Sequence, residues 1–383
     1  MRCRCQKYYI ILLFSAFLVT ACARMEVRDS EIQEEYSGLS INYVRNNENP
    51  NASEDSLYCI INRTRYTSHY FLKTDANGVI KSDKTVDNSD LVSDGILFES
   101  KYYVKSGEYN IYVIDKPQKG IVLDSLKSFV ESVSVSPNNI VLRVCEQNID
   151  DIDILKDEAW EGTSWMSTLN ENFPYFYNID SIRFDFKGNY IIEQGVDAAL
   201  EFEPFNITQK VVMPFIVSVE DGVNIQKILI EFSGILERRY LTDGKTLVGS
   251  GDSGVGRVII SANKIKQEGN DIYYEAVLHT LGLIPNMEND VVANGSGAIF
   301  MAIYAEAEGK QKMLRTTKNI SKFIKESGGV TYDDKNNVFE ITSNKVMLNT
   351  GYHFNVTKEQ ITSDTEDGIQ EWEGEGNDFE GEI

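Results

Sequence analysis

Short apolar stretches separated by turn residues run through most of the chain, and they predict β-strands. In some of them apolar and polar residues alternate, so that Ile41 and Tyr43, for example, lie on one side. Several later stretches are apolar at every position, which is typical of strands covered on both faces. The stretches are residues 40–44, 57–61, 66–72, 96–104, 109–114, 140–145, 211–219, 227–232, 256–261, 298–305, 338–341, 346–348 and 352–356. Together they predict an all-β protein of antiparallel β-sandwiches with little helix.

The turn at residues 105–107 predicts a β-hairpin, because it joins two of these apolar stretches. In the second strand of that hairpin, Tyr109, Ile111 and Val113 recur at every second position and would share one face. We therefore expect residues 96–104 and 109–114 to pair with each other.

One segment, residues 318–327, predicts an α-helix because its apolar residues recur at helical spacing. Asn319 is suited to cap the N-terminus of this helix. The glycine pair at residues 328–329 would end it.

The first 22 residues have the composition of a bacterial lipoprotein signal. Three basic residues precede an apolar run, residues 8–19, that is too short to span a bilayer comfortably. The run ends in Val19-Thr20-Ala21-Cys22, and small residues before a cysteine fit the pocket of a lipoprotein signal peptidase. We expect residues 1–21 to be removed and lipid to be attached to the sulfur of Cys22, with residues 22–36 as a polar tether. A short spanning anchor is the alternative, but no stop-transfer flank follows the run. The signal predicts an exported protein that the lipid anchors to a membrane, in the cell envelope or at the cell surface.

Length and composition indicate a globular protein with two domains. Removal of the signal leaves about 360 residues, enough for two separate cores, and 42% of the chain is hydrophobic. We expect one domain over residues 37–177 and a second over residues 178–358. The aromatic residues near position 170, Trp160 and Trp165 among them, predict a packed connection between the two domains. A helical segment over residues 157–170 is also considered.

The net charge disfavours two kinds of partner, and acidic residues are dense in one segment at residues 359–383. The net charge is −22, which disfavours a nucleic acid or an anionic bilayer surface as a partner. Residues 359–383 contain ten acidic residues and neither Lys nor Arg. This acidic tail has too few apolar residues to fold alone.

Two cysteines are left once the signal and the lipidated cysteine are set aside. Cys59 and Cys145 both lie in strand-like runs and are candidates for one disulfide in an oxidising compartment. Two separate buried thiols are the alternative. Neither cysteine has a histidine at metal-ligand spacing, so we predict no metal site there.

No catalytic residues and no cofactor are predicted. Residues 251–254 match the surroundings of the nucleophile in trypsin-like proteases, but that chemistry also needs a histidine base and a carboxylate. His69, His279 and His353 are the histidines of the chain, and none has the expected sequence context. A Gly/Ser loop between strands is the simpler interpretation, and His279 is predicted to be a strand residue whose ring is satisfied by hydrogen bonds.

Several motifs resemble the fimbrillin-like lipoproteins of Bacteroidetes-type bacteria, which include subunits and anchors of donor-strand fimbriae. The resemblance rests on the lipobox, the two β domains and a series of motifs that is clearest from residue 200 onward. These motifs are Glu203-Pro204-Phe205-Asn206-Ile207-Thr208, Phe232-Ser233-Gly234-Ile235, Leu241-Thr242-Asp243-Gly244-Lys245-Thr246 and the tail sequence Ile369-Gln370-Glu371-Trp372-Glu373-Gly374-Glu375-Gly376.

The resemblance implies two transthyretin-like β-sandwich domains and assembly by β-strand exchange. In such an assembly a segment of one subunit completes the sandwich of the next, and the heterologous contact builds a filament. The acidic tail is the candidate donor, with Ile369, Trp372, Phe379 and Ile383 as candidate anchors. A disordered acidic terminus is the alternative, since Ile369 and Trp372 have opposite parity and glycines weaken a strand.

The resemblance also implies processing by an Arg-specific protease in stalk subunits, which lose the lipid and a leading strand, whereas anchors keep the lipid. Arg24, Arg28 and Arg45 precede or interrupt the first predicted strands and are the candidate cleavage positions. The implied partners are other fimbrial subunits, the outer membrane through the lipid, and host or bacterial surface ligands.

A second hypothesis is a surface glycan-binding lipoprotein of a polysaccharide-uptake system. That class displays aromatic side chains as platforms for sugar rings, and Trp160, Trp165, Tyr175 and Tyr177 are the candidates. An exposed row of these side chains would favour glycan binding. A hydrophobic groove or an exchangeable edge strand would favour the fimbrial interpretation.

Overall fold

A computed structural model describes most of the chain beyond the signal. The described residues are 36–43, 57–63, 69–74, 80–82, 96–98, 101–115, 119–123, 141–156, 165, 173–241, 245–247, 254–287, 295–333, 338–359 and 361–363. Within them most residues lie in β-strands and very few in helices, which confirms the predicted all-β class. No helix in these ranges is long and apolar enough to cross a membrane.

The secondary structure consists of many short strands and very little helix. The strands before residue 207 are β1 (Tyr36–Tyr43), β2 (Leu57–Arg63), β3 (His69–Thr74), β4 (Ile80–Ser82), β5 (Ile96–Phe98), β6 (Lys101–Lys105), β7 (Gly107–Asp115), β8 (Ile121–Leu123), β9 (Val141–Val144), β10 (Glu146–Gln147), β11 (Tyr175–Phe176), β12 (Arg183–Ile192), β13 (Ala198–Phe202) and β14 (Phe205–Asn206). Two single-turn 3-10 helices, Ile149–Asp151 and Asp153–Leu155, follow β10.

The remaining strands are longer on average. They are β15 (Gln209–Val219), β16 (Val223–Leu236), β17 (Arg238–Tyr240), β18 (Lys245–Leu247), β19 (Val255–Ser261), β20 (Asn263–Glu268), β21 (Asp271–Thr280), β22 (Ala298–Ala307), β23 (Lys310–Asn319), β24 (Val330–Asp333), β25 (Val338–Ile341), β26 (Lys345–Met347), β27 (His353–Val356) and β28 (Ile361–Ser363). One short helix, α1 (Ser321–Glu326), lies between β23 and β24.

The first sandwich pairs a four-stranded sheet, in the order β13-β1-β6-β5, with a six-stranded sheet, in the order β14-β12-β7-β2-β3-β4. Its core is a small cluster of buried side chains from both sheets. These are Leu39, Ile41, Val104, Tyr109, Ile111, Val113, Ile192, Leu200 and Phe202. Tyr109, Ile111 and Val113 share one face of β7, as their alternation predicts.

The predicted hairpin at residues 105–107 is wrong. β6 pairs with β1 and β5, whereas β7 pairs with β2 and β12 in the other sheet. Residue 106 therefore carries the chain from one sheet to the facing one. A short glycine-containing link joins two strands equally well within a sheet or across a sandwich, and the local sequence does not distinguish the two.

The second sandwich packs a sheet in the order β10-β11-β19-β16-β22-β23 against a sheet in the order β20-β21-β15-β27-β28. The facing side chains form the largest core, in which Ile230 and Phe232 meet residues such as Phe215 and Phe354. The first of these sheets is also covered on its other face, where Leu229 and Phe300 lie under the chain around residues 149–155. This double coverage explains why the central strand β22 carries buried apolar residues on both of its faces.

Strand pairing crosses the predicted domain boundary at residue 178. β12 and β13 follow that position, yet they pair with β7 and β1 of the first sandwich. β9 precedes it and pairs with β17, and β11 pairs with β19 of the second sandwich. β28 takes the start of the predicted tail into the second sandwich beside β27. The division into two domains stays a prediction.

The helix predicted over residues 318–327 is shorter than expected. β23 continues to Asn319, and the helix begins only at Ser321. The Asn319 side chain accepts a hydrogen bond from the Ser321 backbone N–H at 2.8 Å, although it stands one residue before the cap position. Gly328 follows the helix with a φ of +66°, as expected for a glycine that ends a helix.

Candidate functional site

β1 occupies an unusual place for the first strand of a chain. It lies between β13, with which it runs parallel, and β6, with which it runs antiparallel. We call the space that β1 fills between these two strands the β1 groove. Because β13 comes about 155 residues later, this strand is inserted into its sheet rather than joined to it by a tight turn.

The inward side of β1 contributes to the core of the first sandwich. Leu39 is 1% exposed and Ile41 is 2% exposed, and they pair with Ala198 and Leu200 of β13. Burying a side chain of this size is worth about 1.5–3 kcal/mol. The strand is thus held mainly by two apolar side chains and by its backbone hydrogen bonds.

Two polar contacts fix the register of β1. The Ser37 hydroxyl donates to the Glu193 carbonyl oxygen. The Gly38 backbone N–H donates to the Asp197 carboxylate at 3.0 Å. A Cβ at position 38 would lie 2.5 Å from the same carboxylate oxygen, so only glycine lets Asp197 come this close without moving. A shift by one residue would break both contacts and turn Leu39 outward.

The predicted lipidation, cleavage and donor positions all lie outside the described residues. They are Cys22, Arg24, Arg28, Arg45, Ile369, Trp372, Phe379 and Ile383. In the sequence, Arg28 precedes β1 by eight residues and Arg45 follows it by two. These roles stay predictions.

The motif Phe232-Ser233-Gly234-Ile235 forms a bulge in β16. The pairing of β16 with β19 shifts between Ser233 and Ile235, and Gly234 has a φ of +91°. A Cβ at Gly234 would lie 2.5 Å from the Ile284 carbonyl oxygen. The Ser233 hydroxyl accepts from the Ala298 N–H at 3.2 Å and lies within hydrogen-bond distance of the Gly295 carbonyl. This motif fastens two loops to the sheet, which is a structural role.

The motif Glu203-Pro204-Phe205-Asn206-Ile207-Thr208 lies in the segment that links the two sandwiches. Asn206 accepts hydrogen bonds from the N–H and the hydroxyl of Thr208, which bends the chain after β14. The buried Arg239 guanidinium donates to the Ile207 carbonyl oxygen. Burial lowers the pKa of Arg239 to about 10, so it remains charged at neutral pH. The link between the sandwiches is therefore held by a buried cation.

The candidate sugar-binding aromatics are packed rather than displayed. Trp165 Nε1 and the Tyr175 hydroxyl donate to the same buried carboxylate oxygen of Glu231, at 3.1 and 2.9 Å. Burial and the Glu231 charge raise the pKa of Tyr175, so the phenol keeps its proton as a donor. Tyr177 is half-buried, with Lys119 over its ring. Trp160 lies outside the described residues.

Sequence reasoning missed the ion pair at the centre of this aromatic cluster. Arg257 Nη1 lies 3.3 Å from Glu231 Oε1, and its guanidinium stacks on Tyr175 at 4.0 Å from the ring centre. Arg257 also donates to the backbone carbonyls of Phe173 and Pro174. The available signal was a charged residue flanked by apolar residues in each of two strands, because a charge at such a position needs a buried partner. The cluster attaches Trp165 to the outer face of the sheet and links β11 to β19 and β16.

The remaining candidate residues are cysteines and histidines. Cys145 has a free thiol in this structure, and the side chain of Cys59 lies outside the described residues, so their pairing stays a prediction. His279 lies in β21, as expected for a strand residue, but the expected satisfied ring is wrong, because its buried Nδ1 has no hydrogen-bond partner among the described residues. His353 contacts Ser218. Within the described ranges, no cluster of three or more His, Cys, Asp or Glu residues could hold a metal ion.

Comparisons with known proteins give structural neighbours only. A candidate adhesin from Bacteroides ovatus ATCC 8483 has a TM-score of 0.45 and 11% identity, covering 80% of this chain and 89% of that chain. The fimbrial anchor protein Mfa2 from Porphyromonas gingivalis has a TM-score of 0.36 and 9% identity, covering 86% and 95%. A candidate polysaccharide-binding protein from Bacteroides thetaiotaomicron has a TM-score of 0.33 and 9% identity, covering 86% and 96%. No protein-family model and no curated protein matches the chain. At these TM-scores and identities, the likeness does not assign an activity or a partner to this chain.

Proposed function

We propose that this chain is a lipidated fimbrial subunit or anchor at the cell surface, and that it assembles by β-strand exchange. The observation that supports this most is the position of β1. A leading strand inserted between β13 and β6, with Arg28 before it and Arg45 after it, can be cut away without breaking any other strand.

Removal of β1 would create a site for a replacement strand. It would leave backbone groups of β13 and β6 without their ladder partners and expose the pockets now filled by Leu39 and Ile41. Unpaired backbone groups and exposed apolar surface are both unfavourable in water. A strand from another subunit relieves both costs, since main-chain hydrogen bonds provide affinity and alternate side chains fill the pockets.

The lipid on Cys22 would hold the protein at the outer membrane. A chain that keeps this lipid and β1 would serve as an anchor, and a chain cut after an early arginine would become a polymerising subunit. In both cases the partners are other fimbrial subunits, and the exposed surface is available to host or bacterial ligands.

The test is the intact mass and the N-terminal sequence of the protein taken from native membranes. A lipidated chain that starts at Cys22 is expected for an anchor, and a chain that starts after Arg28 or Arg45 and occurs in high-mass ladders is expected for a subunit. A Cys22→Ala variant should leave the membrane fraction, whereas Cys145→Ala should remain in it as the matched control. An unlipidated full-length chain that never enters a higher assembly would overturn the proposal.

A further inference from the structure

The β1 groove is bordered on one side by two carboxylates. Along β13 the buried Leu200 and Phe202 point inward, so Ala199 and Glu201 point outward by strand alternation. Glu201 pairs with Asn42 of β1, and Asp197 lies beside Gly38. Both carboxylates are on exposed residues, and Ala199 stands between them, opposite Ser40.

β1 itself is uncharged wherever it faces these carboxylates. The residues that alternate with the buried Leu39 and Ile41 are Gly38, Ser40 and Asn42, and none of them is charged. On the β6 side, Gly38 pairs with Tyr103, and Lys105 lies opposite Tyr36 at the start of the strand, away from Asn42. The native occupant of the groove thus avoids placing a negative charge beside Asp197 or Glu201.

The acidic tail of the chain, unlike β1, has negative charges at alternate positions. Its last five residues, Phe379-Glu380-Gly381-Glu382-Ile383, alternate apolar or small residues with glutamates. In either strand direction, placing Phe379 and Ile383 on the inward side of the strand turns Glu380 and Glu382 outward. The positions available to outward residues in the span of β1 beside these carboxylates are those of Gly38, Ser40 and Asn42, and the first and last of them face Asp197 and Glu201. Glutamates at two successive outward positions therefore include at least one that faces a carboxylate. Like charges directly opposite each other on neighbouring strands are destabilising.

We propose that Asp197 and Glu201 select the strand that enters the β1 groove. The accepted strand is apolar at its inward positions and uncharged or basic beside Asp197 and Glu201, so it comes from a different subunit and not from the acidic tail of a second copy. The inference rests on the proposed strand exchange and adds the chemistry of the partner. It makes the contact of this chain with its neighbour heterotypic.

The test is competition by synthetic strands for the groove of the full chain. A site for a sequence-specific protease is placed directly after Arg45, the chain is cut, and β1 is displaced by fluorescent peptides. The peptides are residues 36–43, the same peptide with Asn42→Glu or Asn42→Lys, and residues 377–383 of the tail. Ser40→Glu lies opposite Ala199 and only diagonal to the two carboxylates, so it is the matched control for a charge that does not directly face either of them.

At low salt we expect the Asn42→Glu peptide to bind about three- to tenfold more weakly than the Asn42→Lys peptide. High salt should reduce the difference, because exposed charges are screened. The difference should also disappear in a chain that carries Asp197→Asn and Glu201→Gln, and Ser40→Glu should have a smaller effect than Asn42→Glu.

The outcomes separate this inference from the proposal beneath it. If no peptide displaces β1, including the native residues 36–43, strand exchange itself fails. If the native peptide exchanges but the tail peptide binds equally well, or Asn42→Glu and Asn42→Lys bind alike, strand exchange stands and selection by Asp197 and Glu201 is overturned.

Discussion

Arg257 and Glu231 form an ion pair, with 3.3 Å between their nearest atoms, in the middle of a sheet that is buried on both faces. Trp165 and Tyr175 complete the hydrogen bonding of the carboxylate, so its desolvation is offset by three partners. These contacts attach Trp165 and Tyr175 to the sheet. They also engage the indole N–H and the phenol hydroxyl, the groups with which these aromatic residues could hydrogen-bond a ligand.

Arg257→Met should therefore be strongly destabilising, because it leaves the Glu231 carboxylate buried without its cation. We expect a loss of about 3–5 kcal/mol in the free energy of unfolding, measured by urea denaturation. Glu306→Gln, an exposed carboxylate on the neighbouring strand β22, is the control and should change stability by about 0.5 kcal/mol or less. Equal effects of the two variants would mean that the ion pair does not hold the sheet and its covering segment together.

Part of the strand pattern of the second sandwich could be predicted from the sequence, because several of its long strands contain runs of apolar residues. β15, β16, β19 and β22 all cover the stretches predicted for them. β20, β21 and β23 are not among the predicted stretches. All six residues of β20 are exposed, and its sequence, with Lys264 and Lys266, is that of a polar edge.

Connectivity could not be predicted in the same way. Whether a short link such as residue 106 turns within a sheet or crosses to the facing sheet depends on partners far away in the sequence. The same holds for the candidate site, since Asp197 and Gly38 are 159 residues apart and no local pattern relates them. The sequence does identify β1 as a strand, but its insertion between β13 and β6 is a property of the tertiary structure.

The inward side chains of β1 should carry most of its contribution to stability. Leu39→Ala and Ile41→Ala each remove a side chain that is at most 2% exposed, and we expect each to cost about 2–5 kcal/mol. Ser40→Ala, on the exposed side of the same strand, should be nearly neutral. Chemical denaturation of the three variants would measure this, and equal losses at all three positions would show that β1 is not anchored by its inward side.

Stability should fall at mildly acidic pH through His279. Burial lowers the pKa of His279 below its usual 6.5. The positive charge of Lys210 lowers it further, and the negative charge of Asp180 partly opposes the shift. The unfolded chain therefore takes up this proton at a higher pH than the folded chain, and the folded state loses stability as pH falls from about 6.5 toward the lower folded-state pKa. His279→Gln removes this proton, so the loss between pH 7.5 and pH 5.5 should be smaller in the variant than in the native chain. Parallel losses in urea melts at the two pH values would contradict the assignment.

Replacing Gly234 with alanine should destabilise the protein more than replacing Gly309, a glycine that also has a positive φ but has open space around it. Gly234 and Gly309 both have positive φ, +91° and +76°, so alanine at either position costs about 1–3 kcal/mol in backbone strain. At Gly309 an added Cβ has nothing within 4 Å, whereas at Gly234 it would lie 2.5 Å from the Ile284 carbonyl and 2.9 Å from the Gly297 nitrogen. Both of these are backbone atoms, which cannot swing aside as a flexible side chain would, and the neighbouring Ser233 fastens the same loop. Gly234→Ala should therefore lower the free energy of unfolding by clearly more than Gly309→Ala in the same denaturation experiment. Equal losses would show that the motif needs glycine for its φ alone and not for the close approach of the two loops.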